Sequence, residues 1–466
     1  MSGGSLPPTP RGSERPNAIE CDCRIGSDNG IGSCNTHRHI ENYRMNSQPR
    51  ALAEPRRADR TGSRLDQVLD EAARQLNTRG VSLAALSEIA ARLGITRAAM
   101  YSYVADREDL VFQCCRRTLI LMSRHLDEAG RSASDPIGVL KNFIERVLDP
   151  SGPPLAARSE VAPLSAEHRQ VIQTLYTPLV SRLAQILESG ARAGALRHCD
   201  FEIMAQTILG LINWAPLAHQ WLGGPNPESA RRLNAAVTGI VLDGIAADRS
   251  APLQFAPIDL SPMRFPAHHT FDRAAINAAR LEALLLTASR LFNRQGFDAT
   301  SLQEIMTSIG TTKRTLYRHL ADKQALAAAC NDRAFRLFFH VRDGMLAYQG
   351  TRLQSLAAAM HALGTAYQHK DLMPLASPVC FASLKPEDQQ LHSERSKEVA
   401  GSYVKMMRDG VADGSIADGD LETRIMLFPG IFSSLIKNDI PTDEAVSERN
   451  ARAIAELFCM GLRSGK

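Results

Sequence analysis

Residues 86–110 read LSEIAARLGITRAAMYSYVADREDL. Counted from Leu86, a small residue falls at Ala90, a glycine at Gly94 and a large apolar residue at Met100. A helix-turn-helix needs this spacing: Ala90 where two helices nearly touch, Gly94 in the turn, Met100 buried at the back of the second helix. Thr96, Arg97 and Ala98 are left at the leading end of that second helix, free to enter a major groove. Threonine is also a good helix N-cap, and helix N-termini favour phosphate oxygens.

The same segment occurs twice. A slide of 216 sets Arg64–Leu110 on Arg280–Leu326 without a gap, with 16 of the 47 pairs identical, among them Arg64/Arg280, Asn77/Asn293, Gly80/Gly296, Gly94/Gly310, Tyr101/Tyr317 and Asp106/Asp322. A slide of 220 pairs Gly190, Gly194, Asp200, Glu202 and Gly210 with Gly410, Gly414, Asp420, Glu422 and Gly430. A slide of 217 pairs Gly244 with Gly461. Loops absorb such small changes of offset, so the chain is a tandem duplication. Each copy has helical periodicity, as in Leu65, Val68, Leu69, Ala72 and Leu76, and strand-like alternation is absent. The expected fold is all-α.

Composition agrees. The 466 residues exceed one compact core, and 5% aromatic residues among abundant Ala and Leu favour helix over sheet. With 54 basic and 50 acidic side chains, any nucleic-acid face must be a local patch. No apolar run reaches membrane-spanning length, and the N-terminus lacks a signal-peptide core. Nine scattered cysteines suit reduced thiols, so a cytoplasmic protein is expected. The chain is expected to divide into a disordered tail (1–61), a first helix-turn-helix region (62–110), a first helical region (111–247), a linker (248–271), a second helix-turn-helix region (272–326) and a second helical region (327–466). Met45 offers an alternative translation start within the tail.

Both copies resemble the DNA-binding region of the tetracycline-repressor (TetR) family. LSEIAARLGITRAAMYSYVADREDL carries the likeness in the first copy and TSLQEIMTSIGTTKRTLYRHLADKQAL in the second. The resemblance implies that Tyr101 and Tyr317 contact phosphates, that Arg107 and Lys323 are cations opening the fourth helix against the backbone, and that Thr96, Arg97, Thr312, Lys313, Arg314 and Thr315 face base edges or nearby phosphates. Ala98, Tyr103, Arg318 and His319 complete the two reading segments. Thr300 and Ser301 can cap the second copy's first motif helix and touch phosphate, where the first copy has Ala84 and Ala85 with Ser82 as a substitute cap. Residues 64–110 carry six basic and seven acidic side chains against seven and four in 280–326, so the second copy should hold DNA more strongly.

In such proteins the later helices enclose an effector site and pair in a four-helix bundle. Tyr176, Met204, Trp214 and His219 in the first copy and Tyr367, Met406 and Met426 in the second are the candidate pocket residues, with packing in the core as the bland alternative. The expected partners are double-stranded DNA with an imperfect palindromic operator and an unidentified small-molecule effector. The copies should pair inside one chain, with homodimerisation as the alternative, and the 24-residue linker could stretch to roughly 80 Å to allow it. The run Arg50, Arg56, Arg57, Arg60 and Arg64 reads either as a minor-groove arm or as a solvated tail. Cys21, Cys23, Cys34, His37 and His39 lack a standard zinc spacing, so no metal is expected. No cofactor fingerprint or catalytic constellation is present, so no cofactor and no enzyme activity are expected. The expectation is a small-molecule-responsive transcriptional repressor. The competing one is an α-helical interaction or scaffold protein with one or both reading heads vestigial.

Overall fold

The computed structural model describes residues 55–79, 85–157, 164–264, 273–310, 320–376, 379–437 and 443–465. The described part of the first copy holds α1 (Pro55–Arg79), α2 (Leu86–Arg92), α3 (Arg97–Met100), α4 (Arg107–Ser132), α5 (Pro136–Val147), α6 (Ala166–Arg192), α7 (Phe201–Ala218) and α8 (Pro227–Leu242). The second holds α9 (Arg273–Ala299), α10 (Leu302–Ser308), α11 (Lys323–Leu346), α12 (Arg352–Gln368), α13 (Pro386–Ala412), α14 (Leu421–Met426), α15 (Phe428–Lys437) and α16 (Glu444–Met460). The fold is all-α. Among the described residues none of these helices is long and apolar enough to cross a membrane.

Many residues matched between the copies are structural fasteners. Asp106 and Asp322 cap α4 and α11 by accepting from the backbone N–H groups of Asp109 and Ala325, and Asp200 and Asp420 do the same for α7 and α14. Asn77 donates to Leu155 O (2.8 Å) and accepts from Ala157 N (2.8 Å). Asn293 repeats the clamp on Pro374 O and Ala376 N, both at 2.9 Å. Each asparagine thus satisfies two backbone groups of the loop that follows α5 or α12, groups that could not be left unpaired without loss of stability. Cys114 and Cys330 pack with their thiols toward the carbonyls of Leu69 and Leu285, again one offset of 216 apart.

The two copies meet through their last helices. α7 packs on α15 and α16, and α8 on α14 and α16. At the crossing of α7 and α15, Gly210 faces Gly430: a Cβ on Gly210 would lie 2.5 Å from Gly430 O, and one on Gly430 would lie 2.7 Å from the Trp214 Cβ. No larger residue fits at that separation. The segments after α8 and α16 then exchange backbone hydrogen bonds reciprocally. Ala246 N donates to Cys459 O (2.8 Å) and Arg463 N to Leu242 O (2.8 Å); Ala247 N donates to Ser415 O and Ser464 N to Ala195 O, both at 3.1 Å; Ala417 N donates to Ile245 O and Arg197 N to Leu462 O, both at 2.8 Å. Each pair is related by the offsets of 217 and 220, so a pseudo-two-fold axis relates the two helical regions. Arg232 adds a forked pair with Asp420 across the contact (2.7 and 3.0 Å).

Three expectations change. α1 reaches back to Pro55, into the stretch assigned to the tail, with proline at the first helical position, where its missing N–H costs nothing. Residues 56–64 are therefore helical and not a flexible arm, and Arg64 is committed to Gln67 and to Leu93 O (2.9 Å). The linker is not free chain either. Residues 252–260 run without helix or turn along the second copy, ahead of a single 3-10 turn at Ser261–Met263: Ala256 N donates to the Tyr348 hydroxyl (2.7 Å), Gln354 Nε2 to Gln254 O (3.0 Å), and His340 Nε2 lies 2.7 Å from Asp259 O. Ile258 lies against Gly344 and Leu260 is buried. Pro252 and Pro257 favour this extended backbone and have no N–H to satisfy, while side chains of α11 and α12 match its exposed carbonyls.

Candidate nucleic-acid interface

In the first copy Ile89 and Ala90 of α2 and Met100 of α3 are buried, as the motif spacing requires. Between the helices Gly94 has φ 62, and Gly310 has φ 63 at the matched position. This left-handed turn strains any residue with a Cβ, which explains the glycine in both copies. Thr96 caps α3, its hydroxyl accepting from Ala99 N at 3.0 Å. Arg97 and Ala98 are exposed on the next turn. Arg97 Nη2 reaches the Tyr101 hydroxyl (3.3 Å), with the guanidinium 5.9 Å from the Tyr101 ring centroid. Tyr101 is 46% exposed, unusual for so large a side chain and suited to an external contact. Arg107, exposed, opens α4 directly after the Asp106 cap.

Other candidates fall differently. The Tyr103 ring packs against the core and its carbonyl accepts from Gln113, so it faces inward. Thr300 is fully buried and donates to Gly296 O (2.8 Å), which removes it from a DNA surface. Ser301 is the exposed N-cap of α10, accepting from Glu304 N. Lys323 is half-buried, 4.3 Å from the Phe297 ring centroid with its ammonium near Asp298 O, and burial lowers its pKa. As placed, it turns toward its own unit. Thr312, Lys313, Arg314, Thr315, Tyr317, Arg318 and His319 lie outside the described residues, as do Ser82 and the Cys21–His39 cluster. The N-cap of α2 is Ala85, which offers it no side-chain acceptor.

The acidic surplus of the first copy is internally engaged. Glu71 and Glu88 pair with Arg92, and Asp66 and Asp70 with Arg117. Asp106 and Asp109 accept from backbone N–H groups. Glu108 accepts from Ser165 N (2.6 Å), which lowers its pKa, and meets His168. A count of charges therefore overstates the negative field at this head.

The sequence of the chain matches known proteins at the places where this geometry is found. The family described as bacterial regulatory proteins, tetR family, matches residues 68–114 and again 284–330, the same offset of 216. A tetracyclin repressor-like C-terminal domain matches residues 138–245. The chain belongs to the tetR family. It is a DNA-binding transcriptional regulator carrying two tandem TetR units. Among solved structures, the TetR-family regulator PfmR from Thermus thermophilus is 23% identical, covering 37% of this chain and 96% of its own, with a TM-score of 0.28. A TetR-family regulator from Agrobacterium tumefaciens is 19% identical, covering 38% and 94%, with a TM-score of 0.31. Escherichia coli NemR in its reduced form is 18% identical, covering 38% and 95%, with a TM-score of 0.29. No curated protein matches the chain in sequence.

The candidate pocket residues do not converge. Trp214 and Met426 belong to the contact between copies, the indole N–H donating to Met426 O (2.7 Å). Met204 is fully buried and Tyr176 packs on the core. His219 Nδ1 lies 2.9 Å from Ser229 Oγ, at the turn before α8. The Tyr367 ring packs on Phe432 at 5.5 Å, and Met406 accepts from Ser355. A cleft does occur elsewhere, between α11 and α13, and none of the seven lines it.

Proposed function

We propose that this TetR protein is a small-molecule-responsive repressor that works as an internally paired unit, presenting two different reading heads to one imperfect palindrome. Residues 62–110 and 272–326 serve as the heads, and residues 111–247 and 327–466 as the effector and pairing regions. The reciprocal backbone hydrogen bonds between the segments following α8 and α16 carry this reading. They use up, within one chain, the surfaces that two chains would otherwise share.

In the first head Thr96, Arg97, Tyr101 and Arg107 meet DNA. In the second, Ser301 and the segment Thr312–His319 do so, with Arg314 as the residue able to fork onto a guanine. Thr96-Arg97-Ala98-Ala99 differs from Thr312-Lys313-Arg314-Thr315, so the two arms of the operator should differ as well.

Light scattering at micromolar concentration should give the chain mass of 50.9 kDa; a clean species of twice that mass sinks internal pairing. Binding sites selected from random duplex DNA should be imperfect palindromes. Arg97→Ala and Arg314→Ala should each relax preference in a different arm, at about 1–3 kcal/mol if the side chain forks onto a base. A perfect palindrome, or two arginine variants altering the same positions, refutes the reading.

A further inference from the structure

We propose that Tyr101 is a specificity-determining residue of the first head: its hydroxyl joins the phosphate contact to the base contact by holding the Arg97 guanidinium in place. The inference rests on the proposed role of Arg97 in reading a base, and the two can be tested apart. Arg97 opens α3 and Tyr101 closes it, four residues later. Tyr101 keeps helical backbone angles (φ −68, ψ −9), so one full turn separates the two and their side chains share a face. Arg97 Nη2 donates to the Tyr101 hydroxyl at 3.3 Å, and its guanidinium carbon stands 5.9 Å from the ring centroid.

Arg97 makes no ion pair among the described residues. The acidic side chains around it are engaged elsewhere: Glu88 with Arg92, Asp106 and Asp109 with backbone N–H groups, Glu108 with Ser165 and His168. Of the five N–H groups of the guanidinium, the tyrosine takes one and four remain, enough to fork onto guanine O6 and N7. Ordering one long side chain at an interface weakens binding about 2- to 13-fold. The Tyr101 contact orders Arg97 before DNA arrives.

A hydroxyl has one proton and two lone pairs. In Tyr101 a lone pair accepts from Arg97, which leaves the hydroxyl's own proton for a phosphate oxygen, the acceptor that lies beside a helix docked in the major groove. Accepting from a cation also polarises the O–H bond and strengthens that donation. One oxygen thus serves both contacts, and removing it should weaken both. The second copy carries the same tyrosine with a different partner. Lys313 stands four residues before Tyr317, and an ammonium has no planar fork for a tyrosine to orient. The coupled pair belongs to the first head.

The probes are a duplex selected from random DNA by the full wild-type chain and the same duplex changed at the base where Arg97→Ala relaxes the preference. Fluorescence anisotropy gives the ratio of the two affinities. Tyr101→Phe keeps the ring and removes the hydroxyl. It should weaken binding to the selected duplex more than to the changed one, reducing the ratio by about 2- to 13-fold, because only the selected duplex depends on an ordered Arg97. In an Arg97→Lys background the same substitution should weaken both duplexes by one factor and leave the ratio unchanged. Partial unfolding would also weaken both alike, so it cannot imitate a change of ratio. If Tyr101→Phe weakens both duplexes equally while Arg97→Ala still shifts the preference, the hydroxyl serves the phosphate alone: the proposal falls and base reading by Arg97 stands. A ratio that falls equally in the Arg97→Lys background also overturns the proposal. If Arg97→Ala shifts no preference at any position, base reading by Arg97 falls and the proposal with it.

Discussion

Replacing Gly210 by alanine tests the contact between the copies at its tightest point. The new Cβ would stand 2.5 Å from Gly430 O and would also press on Ser433 Oγ. A carbon rests at about 3.3 Å or more from a carbonyl oxygen, so α7 and α15 must part by nearly 1 Å. A gap of that size forfeits about a quarter to a half of each dispersion contact along the crossing, and overpacked cores typically lose about 1–3 kcal/mol. Alanine returns about 0.8–1.0 kcal/mol of helix propensity over glycine. If the parting also breaks the bond from Trp214 Nε1 to Met426 O, another roughly 1–3 kcal/mol is lost. The net expectation is destabilisation of about 1–4 kcal/mol. Gly401, inside α13, is the control, because a Cβ added there would meet nothing within 4 Å: Gly401→Ala should stabilise by up to about 1 kcal/mol. Urea denaturation followed by circular dichroism reads both. If Gly210→Ala stabilises as Gly401→Ala does, the helices are not in close contact there. A midpoint for the wild type that rises with protein concentration would instead indicate pairing between chains.

Asn293→Ala should cost about 2–4 kcal/mol, because Pro374 O and Ala376 N lose their partner inside the protein; a change within about 0.5 kcal/mol in the same assay would show that water replaces it. The folded protein holds the His392 pKa at about 4, below the ordinary value near 6.5. The unfolded chain therefore takes up its proton first, and stability should fall by up to about 3 kcal/mol as pH drops from 6.5 to 4; His392→Gln should flatten that slope, and an unchanged slope counts against the assignment. Asp420 is held at about 2 by its fork with Arg232, so its contribution is present above pH 4 and lost as pH falls toward 2. With both side chains about a third exposed this is worth about 0.5–1 kcal/mol, and Asp420→Asn should flatten the acid limb of a stability–pH curve by that amount.

The duplication, the helices and the reading segments are legible in the sequence because they rest on local chemistry: glycines at left-handed turns, aspartates at helix N-caps, apolar residues at helical spacing. The glycine pair Gly210/Gly430 is visible as a match, although its meaning needs the third dimension, where each excludes a Cβ from the other's helix. Trp214 reads as a pocket residue because an aromatic at helical spacing looks the same whether it faces a cavity or a neighbouring helix. Thr300 and Ser301 are equally able to cap, and only the packing shows that Thr300 is the buried one of the two. The path of residues 252–260 along the second copy is illegible because it depends on partners about 80 to 100 residues downstream, such as Tyr348 and Gln354.

The interlocked backbone segments have a consequence during synthesis. The residues around Gly244 find their partners around Gly461, 217 positions later in the chain. At ribosomal speeds of about 5–20 residues per second, roughly 10–45 s pass between the emergence of one half of this seam and the other. For that interval the faces of α7 and α8 that the second copy covers stand open to water, Trp214 among them. A nascent first copy is then free to seize the same surface of a neighbouring nascent chain. Fusing two units into one polypeptide removes dilution as a threat to pairing and puts a race against time in its place.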